Sequence, residues 1–261
     1  VLIFALLITI LVFSSDKNNG TASLLGYIPL GSTNDCAATL RIPQGYKPAA
    51  ELAAGDTPPL KWDIGTLNDR PFVYVAAFGA FTKVAYDTPQ ELKNTFGHLA
   101  YIMAGIASLP SITPYHLKLE YDGQTIEDDF FYGMVCNTYS VGGIKNLPTD
   151  RVDLNDGLFE VTLITNPKNP LELQEIMTAL LTAEDNTDLI YSFKSAHVVI
   201  ESEEAVPWTL DGEFGGDQTR VEIDNLHEAM NLYLTSSKKQ KKSRLNQKMQ
   251  EIKEITQKSE E

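Results

Sequence analysis

The stretch Trp208-Thr209-Leu210-Asp211-Gly212-Glu213 decides how this chain is read, because it sets two carboxylates around a glycine at the end of an apolar run. Glycine accepts positive φ without steric penalty, so a strand that stops at Asp-Gly turns sharply and presents both acids at a rim. Such a pair can hold a metal, polarise a hydroxyl or simply face solvent at an ordinary hairpin tip, and these six residues leave all three readings open. The same punctuation returns at Asp122-Gly123 and Asp156-Gly157. Between the turns lie segments with strand character: His116 to Tyr121, Thr125 to Cys136, Leu158 to Ile164, Ser195 to Glu201, Trp208 to Leu210, Thr219 to Ile223 and Ala229 to Leu234. Short strands repeated in this way point to an antiparallel sandwich. One helix interrupts them, Pro170 to Thr182, carrying Leu171, Leu173, Ile176, Leu180 and Leu181.

Upstream, Leu24 to Pro29 reads as a short buried strand that runs into Leu30-Gly31-Ser32-Thr33-Asn34-Asp35. A helix over Cys36 to Leu40 would follow, so hydroxyls, an amide and free N–H groups gather at its start, as a phosphate site or a plain N-cap. A second helix is expected over Pro48 to Ala54, closed by Gly55, then a strand at Leu60 to Ile64, a hairpin turn at Gly65 to Arg70 and an apolar strand at Phe72 to Phe78. Asp63 thus falls near a strand end. A helix capped by Asp87 or Thr88 carries Leu92, Phe96, Leu99, Met103 and Ile106 at helical spacing.

With 261 residues, 43% of them hydrophobic, the chain can bury one large or two modest cores. Its 21 Lys and Arg against 35 Asp and Glu give a net charge of -14, which disfavours nucleic acid as a partner. Cys36 and Cys136 lack Cys-x-x-Cys spacing, and the four histidines show no ligand spacing, so a reducing cytoplasm and a site without zinc are expected. The apolar run Val1 to Phe13 would span about 20 Å as a helix, short of the roughly 30 Å of a bilayer core, so a buried helix or strand is favoured there. The tail from Thr235 reads as a basic amphipathic helix, either solvated or resting on anionic lipid.

Four stretches, in this order, resemble the successive signatures of the bacterial diacylglycerol kinases and related lipid kinases: Pro29-Leu30-Gly31-Ser32-Thr33-Asn34-Asp35, Trp62-Asp63-Ile64-Gly65, Leu154-Asn155-Asp156-Gly157-Leu158 and Leu210-Asp211-Gly212-Glu213. The resemblance runs from about Leu24 to Leu234. It implies an α/β two-domain lipid kinase, in which an ATP-binding α/β domain sits over a β-sandwich domain and the γ-phosphoryl of ATP moves to a lipid hydroxyl with magnesium. Residues 1–45 would then be the edge of the nucleotide-binding domain, 46–235 the antiparallel β-sandwich with helical insertions, and 236–261 a charged helical tail.

Carried onto this sequence, the family's catalytic base matches Glu213. Asp211 beside it matches the metal and water network, to which the family pattern also assigns Asp35 and Asp63. The nucleotide contacts fall on Ser32, Asn34, Asp35 and Asp63, with Ser32 standing where threonine is usual. The structural magnesium ligands fall on Asp153, Asp156 and the backbone carbonyl of Leu158. Oxygen ligands suit hard magnesium, and a carboxylate suits a base that accepts an alcohol proton. The implied partners are a lipid alcohol, diacylglycerol first, a nucleotide, and a peripheral membrane surface on the cytoplasmic side; a homodimer is compatible with them. The family's Gly-Gly-Asp-Gly-Thr phosphate loop, expected upstream of Gly26, is not in this sequence, and Gly215-Gly216-Asp217 runs into Gln218 instead. The resemblance therefore implies an N-terminally truncated or frame-altered chain that binds ATP poorly. The alternative is a non-catalytic, pseudokinase-like sandwich that binds lipid or a partner protein.

Overall fold

The computed structural model describes residues 24–30, 34–43, 45–53, 60–79, 113–138, 140–141, 144–145, 152–182 and 187–232. The expectations for Val1 to Phe13, Ser32, the Asp87 to Ile106 helix and the tail from Thr235 lie outside them. In chain order the elements are β1 (Leu24–Leu25), α1 (Asp35–Thr39), α2 (Tyr46–Ala53), β2 (Leu60–Leu67), β3 (Arg70–Phe72), β4 (Val75–Gly79), β5 (Tyr115–Tyr121), β6 (Gln124–Cys136), β7 (Ser140–Val141), β8 (Ile144–Lys145), β9 (Phe159–Thr165), α3 (Pro170–Thr182), β10 (Ile190–Ser195), β11 (His197–Leu210) and β12 (Glu213–Leu232).

Ten strands form one sheet in the order β10-β9-β6-β4-β11-β12-β2-β3, with β5 pairing both β6 and β11. Every described pairing is antiparallel except β1 on β12. The register shows how β4 and β5 fit together. Gly79 of β4 faces Tyr132 and Tyr115 of β5 faces Phe130, so the two strands run end to end in one lane between β6 and β11.

The sheet closes over its own inner face. Phe72 of β3 and Phe159 of β9, near opposite ends of the strand order, bring their ring centroids to 5.5 Å, and Tyr121 of β5 stacks on Phe193 of β10 at 3.7 Å. Inside lies the main core, with Phe78, Leu117, Phe130, Trp208 and Ile223 all at most 2% exposed. The antiparallel sandwich expected from the sequence is built from one sheet curled over its own inner face. Burying a large aromatic side chain in this way stabilises by roughly 1.5–3 kcal/mol before entropy is counted.

The outer face of β6 and β9 is covered by α3. Asn169 accepts the N–H groups of Leu171 and Glu172 on its Oδ1 while Glu172 reaches back to the N–H of Lys168, and Pro170 stands at the first helical position, so the start of α3 is fixed by capping chemistry. Ile176 and Leu180 are its buried contacts; Leu171, counted above among its apolar stripe, is 76% exposed. This cover explains the burial along β6, which alternates up to Asp129 and is continuous from Phe130. A third cluster packs α1 and α2 against Trp62 and Leu232.

Several boundaries differ from the sequence reading. The turn expected over Gly65 to Arg70 narrows to Asn68 and Asp69, because Gly65 to Leu67 continue β2 and pair with β3. The strand expected over Phe72 to Phe78 breaks at Val73 and Tyr74. The segments Ser195 to Glu201 and Trp208 to Leu210 belong to the single strand β11 apart from Ser195 and Ala196, and the last two expected strands merge into the 20-residue β12. Long strands survive here because irregularities absorb the polar interruptions: register shifts fall between Glu201 and Val206 and between Leu226 and Met230.

Gly65 has a packing reason. A Cβ built on it would lie 2.1 Å from Cζ of Phe72, whose ring is itself buried against Phe159. Gly65→Ala is expected to lower stability by about 1–3 kcal/mol through overpacking. Urea unfolding should show a lower midpoint with an unchanged slope.

Candidate active site

The Asp-Gly tip between β11 and β12 forms as expected. Asp211 at φ 52° and Gly212 at φ 89° are both left-handed, as a two-residue hairpin with the twist of its strands requires, and Leu210 pairs with Glu213. The two acids at this tip have different surroundings. Glu213 is exposed, followed by Phe214, which is 60% exposed and whose carbonyl accepts Arg70 Nη2 at 3.2 Å. Asp211 is turned inward: Oδ2 accepts the N–H of Val73 at 2.7 Å, and Oδ1 accepts those of Tyr74 at 2.9 Å and Val75 at 3.0 Å. Its own N–H donates to the Val75 carbonyl. Burial pushes the Asp211 carboxyl up, and the three amide donors pull it back toward the anion. The break at Val73 and Tyr74 exists because those N–H groups serve this carboxylate rather than a strand.

Asp63 is handled in the same way on β2. It is 0% exposed; Oδ2 accepts the N–H of Gly157 at 2.7 Å, Oδ1 accepts that of Glu228 at 2.6 Å, and His227 Nδ1 stands 3.1 Å from Oδ1. The Asp63 N–H in turn donates to the Leu154 carbonyl at 2.9 Å. One side chain therefore anchors both the Asn155-Asp156-Gly157 turn and the irregular stretch of β12. Glu228 sits in that stretch at φ 51° and forms an ion pair with Lys61.

These two centres are joined by residues the sequence reading did not single out, Asn137 and Thr138. Asn137 is 0% exposed. Its N–H donates to the carbonyl of Tyr74 at 3.0 Å, within the Asp211 clip, and its Nδ2 donates to the carbonyls of Asp63 at 3.1 Å and Leu154 at 3.2 Å. Thr138 hydrogen-bonds through its hydroxyl to that of Thr39, in the helix that Asn34 and Asp35 open. Asn137 thus bonds two of the motif stretches directly, at Asp63 and Leu154, and the dipeptide reaches the other two at one remove, through Tyr74 beside Asp211 and through Thr39 at the end of α1. Asn34 itself is left-handed at φ 54°, with no side-chain cap onto α1. Ser32 and the Asp35 side chain lie outside the described residues. The available sequence signal was the polar pair itself, placed directly after seven consecutive buried positions of β6.

Around the 153–158 turn, Asp153 and Asp156 are exposed, Asp156 Oδ1 accepts the N–H of Leu158 at 3.0 Å, and Asp156 Oδ2 pairs with Lys194 Nζ at 3.0 Å. The turn offers carboxylate and carbonyl oxygens, so its donor chemistry fits a hard cation such as magnesium. Lys194 also pairs with Glu160 at 3.2 Å. Glu160 is 1% exposed, and among the described residues neither of its oxygens has a well-aligned hydrogen bond. Burial pushes its carboxyl up to about 7, against the pull of the Lys194 ammonium. A glutamate inside the run Phe159 to Ile164, which is apolar apart from Thr162, was the sequence signal for this group. Among the described residues no helix is long and apolar enough to cross a membrane.

Residues 75–232 match the family described as the YegS C-terminal NAD kinase beta sandwich-like domain. The diacylglycerol kinase of Bacillus subtilis (strain 168) is 37% identical over 207 residues, covering 76% of this chain and 67% of that protein. The diacylglycerol kinase of Staphylococcus carnosus (strain TM300) is 34% identical over 211 residues, covering 80% and 67%. A solved structure described as a candidate diacylglycerol kinase from Bacillus anthracis str. Sterne superposes with a TM-score of 0.65 at 25% identity, over 80% of this chain and 68% of that one. The chain spans about two thirds of each of these relatives.

Two outcomes follow from the geometry. Asp211→Asn replaces one acceptor oxygen by a donor facing backbone N–H groups, and should cost about 2–3 kcal/mol of stability in urea unfolding. Glu160 holds its proton to about pH 7 when folded and to about 4.5 when unfolded. Wild-type stability should therefore fall as pH rises from about 4.5 to about 7, and Glu160→Gln should flatten that segment of the stability–pH curve by roughly 1–3 kcal/mol.

Proposed function

The chain belongs to the bacterial diacylglycerol kinase family of lipid kinases, and from that membership and the site geometry we propose that it transfers the γ-phosphoryl group of ATP to the hydroxyl of diacylglycerol, with magnesium. The observation that carries the reading is the buried pair Asn137 and Thr138, which bonds Asp63 and Leu154 directly and reaches the Asp211 tip through Tyr74 and α1 through Thr39, so that the exposed carboxylate of Glu213 and the oxygen-lined turn stand on one hydrogen-bonded frame.

Phosphoryl transfer asks little covalent chemistry of a protein and much positioning and charge placement. Glu213 is the group that accepts the lipid hydroxyl proton, as that oxygen bonds to the γ-phosphorus and the bond to the β–γ bridging oxygen breaks to release ADP. Asp211 is two residues away but committed to three backbone amides, so its role is to hold the tip rigid. Asp153, Asp156 and the Leu158 carbonyl would hold magnesium, which supplies fixed positive charge at the turn. Asp63 keeps that turn in place from below. The nucleotide contacts would come from Ser32, Asn34 and Asp35 in the segment that leads into α1. The acceptor is a membrane lipid, so the reaction belongs at the cytoplasmic membrane surface, with the protein bound peripherally.

Glu213→Gln keeps the size and hydrogen-bonding capacity of the side chain and removes its proton affinity. In the native full-length protein, assayed on diacylglycerol in mixed micelles, kcat is expected to fall by roughly 10² to 10⁴ with little change in ATP affinity. A variant that keeps more than about a third of wild-type kcat, far above that range, removes Glu213 from the role of base.

A further inference from the structure

Lys194 stands between the rim of the 153–158 turn and a buried carboxylate. Its Nζ lies 3.0 Å from Asp156 Oδ2 and 3.2 Å from Glu160 Oε1. Strand register puts it there, since Lys194 of β10 is the direct partner of Glu160 on β9, and Glu160 is the second residue of that strand, two positions beyond Leu158. The other oxygen of Asp156 accepts the Leu158 N–H. One oxygen of Asp156 is thus held by fixed backbone and the other by the end of a long side chain carrying a full positive charge.

We propose that Lys194 is a built-in counter-cation of this turn, which competes with a divalent metal for Asp156 and withdraws onto Glu160 when the metal binds. The inference rests on the proposed reading of the turn as a magnesium site. A divalent ion at Asp156 would face an ammonium a few ångströms away, and at such a separation in partly buried surroundings like charges repel strongly. Withdrawal leaves no charge unpaired, because Glu160 is buried and has no other well-aligned partner among the described residues. A buried carboxylate needs such a counter-charge, so the same ammonium serves one acid in both states and the other only when metal is away. The turn is then held without metal, and metal affinity is set below what the bare oxygens would give.

The test is titration of magnesium chloride into the full chain at pH 7.5 by calorimetry, with thermal melts in magnesium and in chelator, for wild type, Lys194→Met, Lys194→Arg and Asp156→Ala. Lys194→Met is expected to bind magnesium about tenfold more tightly and to gain more melting temperature from it, while the charge-retaining Lys194→Arg stays near wild type. Equal or weaker binding by Lys194→Met overturns the competition. If wild type and Lys194→Met respond to magnesium no more than Asp156→Ala does, the turn is not a metal site, and the reading beneath falls together with the inference. Should Lys194→Met fail to fold, Glu160→Gln leaves the ammonium to Asp156 alone and is expected to weaken magnesium binding severalfold; an unchanged affinity overturns the proposal.

Discussion

Three backbone N–H groups converge on the carboxylate of Asp211, and the rest of the site depends on that convergence. Val73, Tyr74 and Val75 would otherwise continue a strand. By giving up their N–H groups to a side chain 136 to 138 residues away, they bend the chain between β3 and β4 and free the Tyr74 carbonyl for Asn137. Buried backbone donors must find acceptors, and an anion satisfies several at once with charge-assisted strength. The same device recurs at Asp63, which serves Gly157 and Glu228. Two inward-facing carboxylates thus act as staples between segments far apart in sequence.

The carboxylates divide by depth. Asp63 and Asp211 have both oxygens engaged by the fold, so they set geometry. Glu213, Asp153 and Asp156 stand at the exposed rim, where a substrate proton or a cation can reach them. At the hairpin tip the inward carboxylate, Asp211, lies two positions from the exposed Glu213, whereas Asp63 holds Gly157 from a distant strand. Rigid support from packed elements is what a positioned carboxylate requires, since phosphoryl transfer depends on placement more than on intrinsic reactivity.

Glu160 and Lys194 add a further layer. A glutamate in a fully buried strand is costly unless a cation accompanies it, and the register of β9 on β10 delivers one. Because Lys194 reaches both Glu160 and Asp156, a feature of the core is coupled to the rim turn through a single ammonium.

Much of this protein is legible in its residues alone. Asp-Gly at 122 and 211 announced hairpins, while Asp156-Gly157 makes an irregular turn ahead of β9; alternation announced strands, and the start of α3 at Pro170 and its end at Thr182 were legible, because these depend on neighbouring residues. The ordered motifs also identified the family. Only the tertiary structure decided what each acid does. Nothing near Asp211 in sequence says that its partners are the amides of Val73 to Val75, and nothing near Asn137 says that it bonds Asp63 and Leu154. The merging of the expected short strands into β11 and β12 was hidden for the same reason: a strand continues through polar residues when a neighbouring strand supplies pairing on its flank. Local pattern encodes the turn and the face, whereas pairing across a hundred residues is set by the curl of the sheet, which no window of sequence contains.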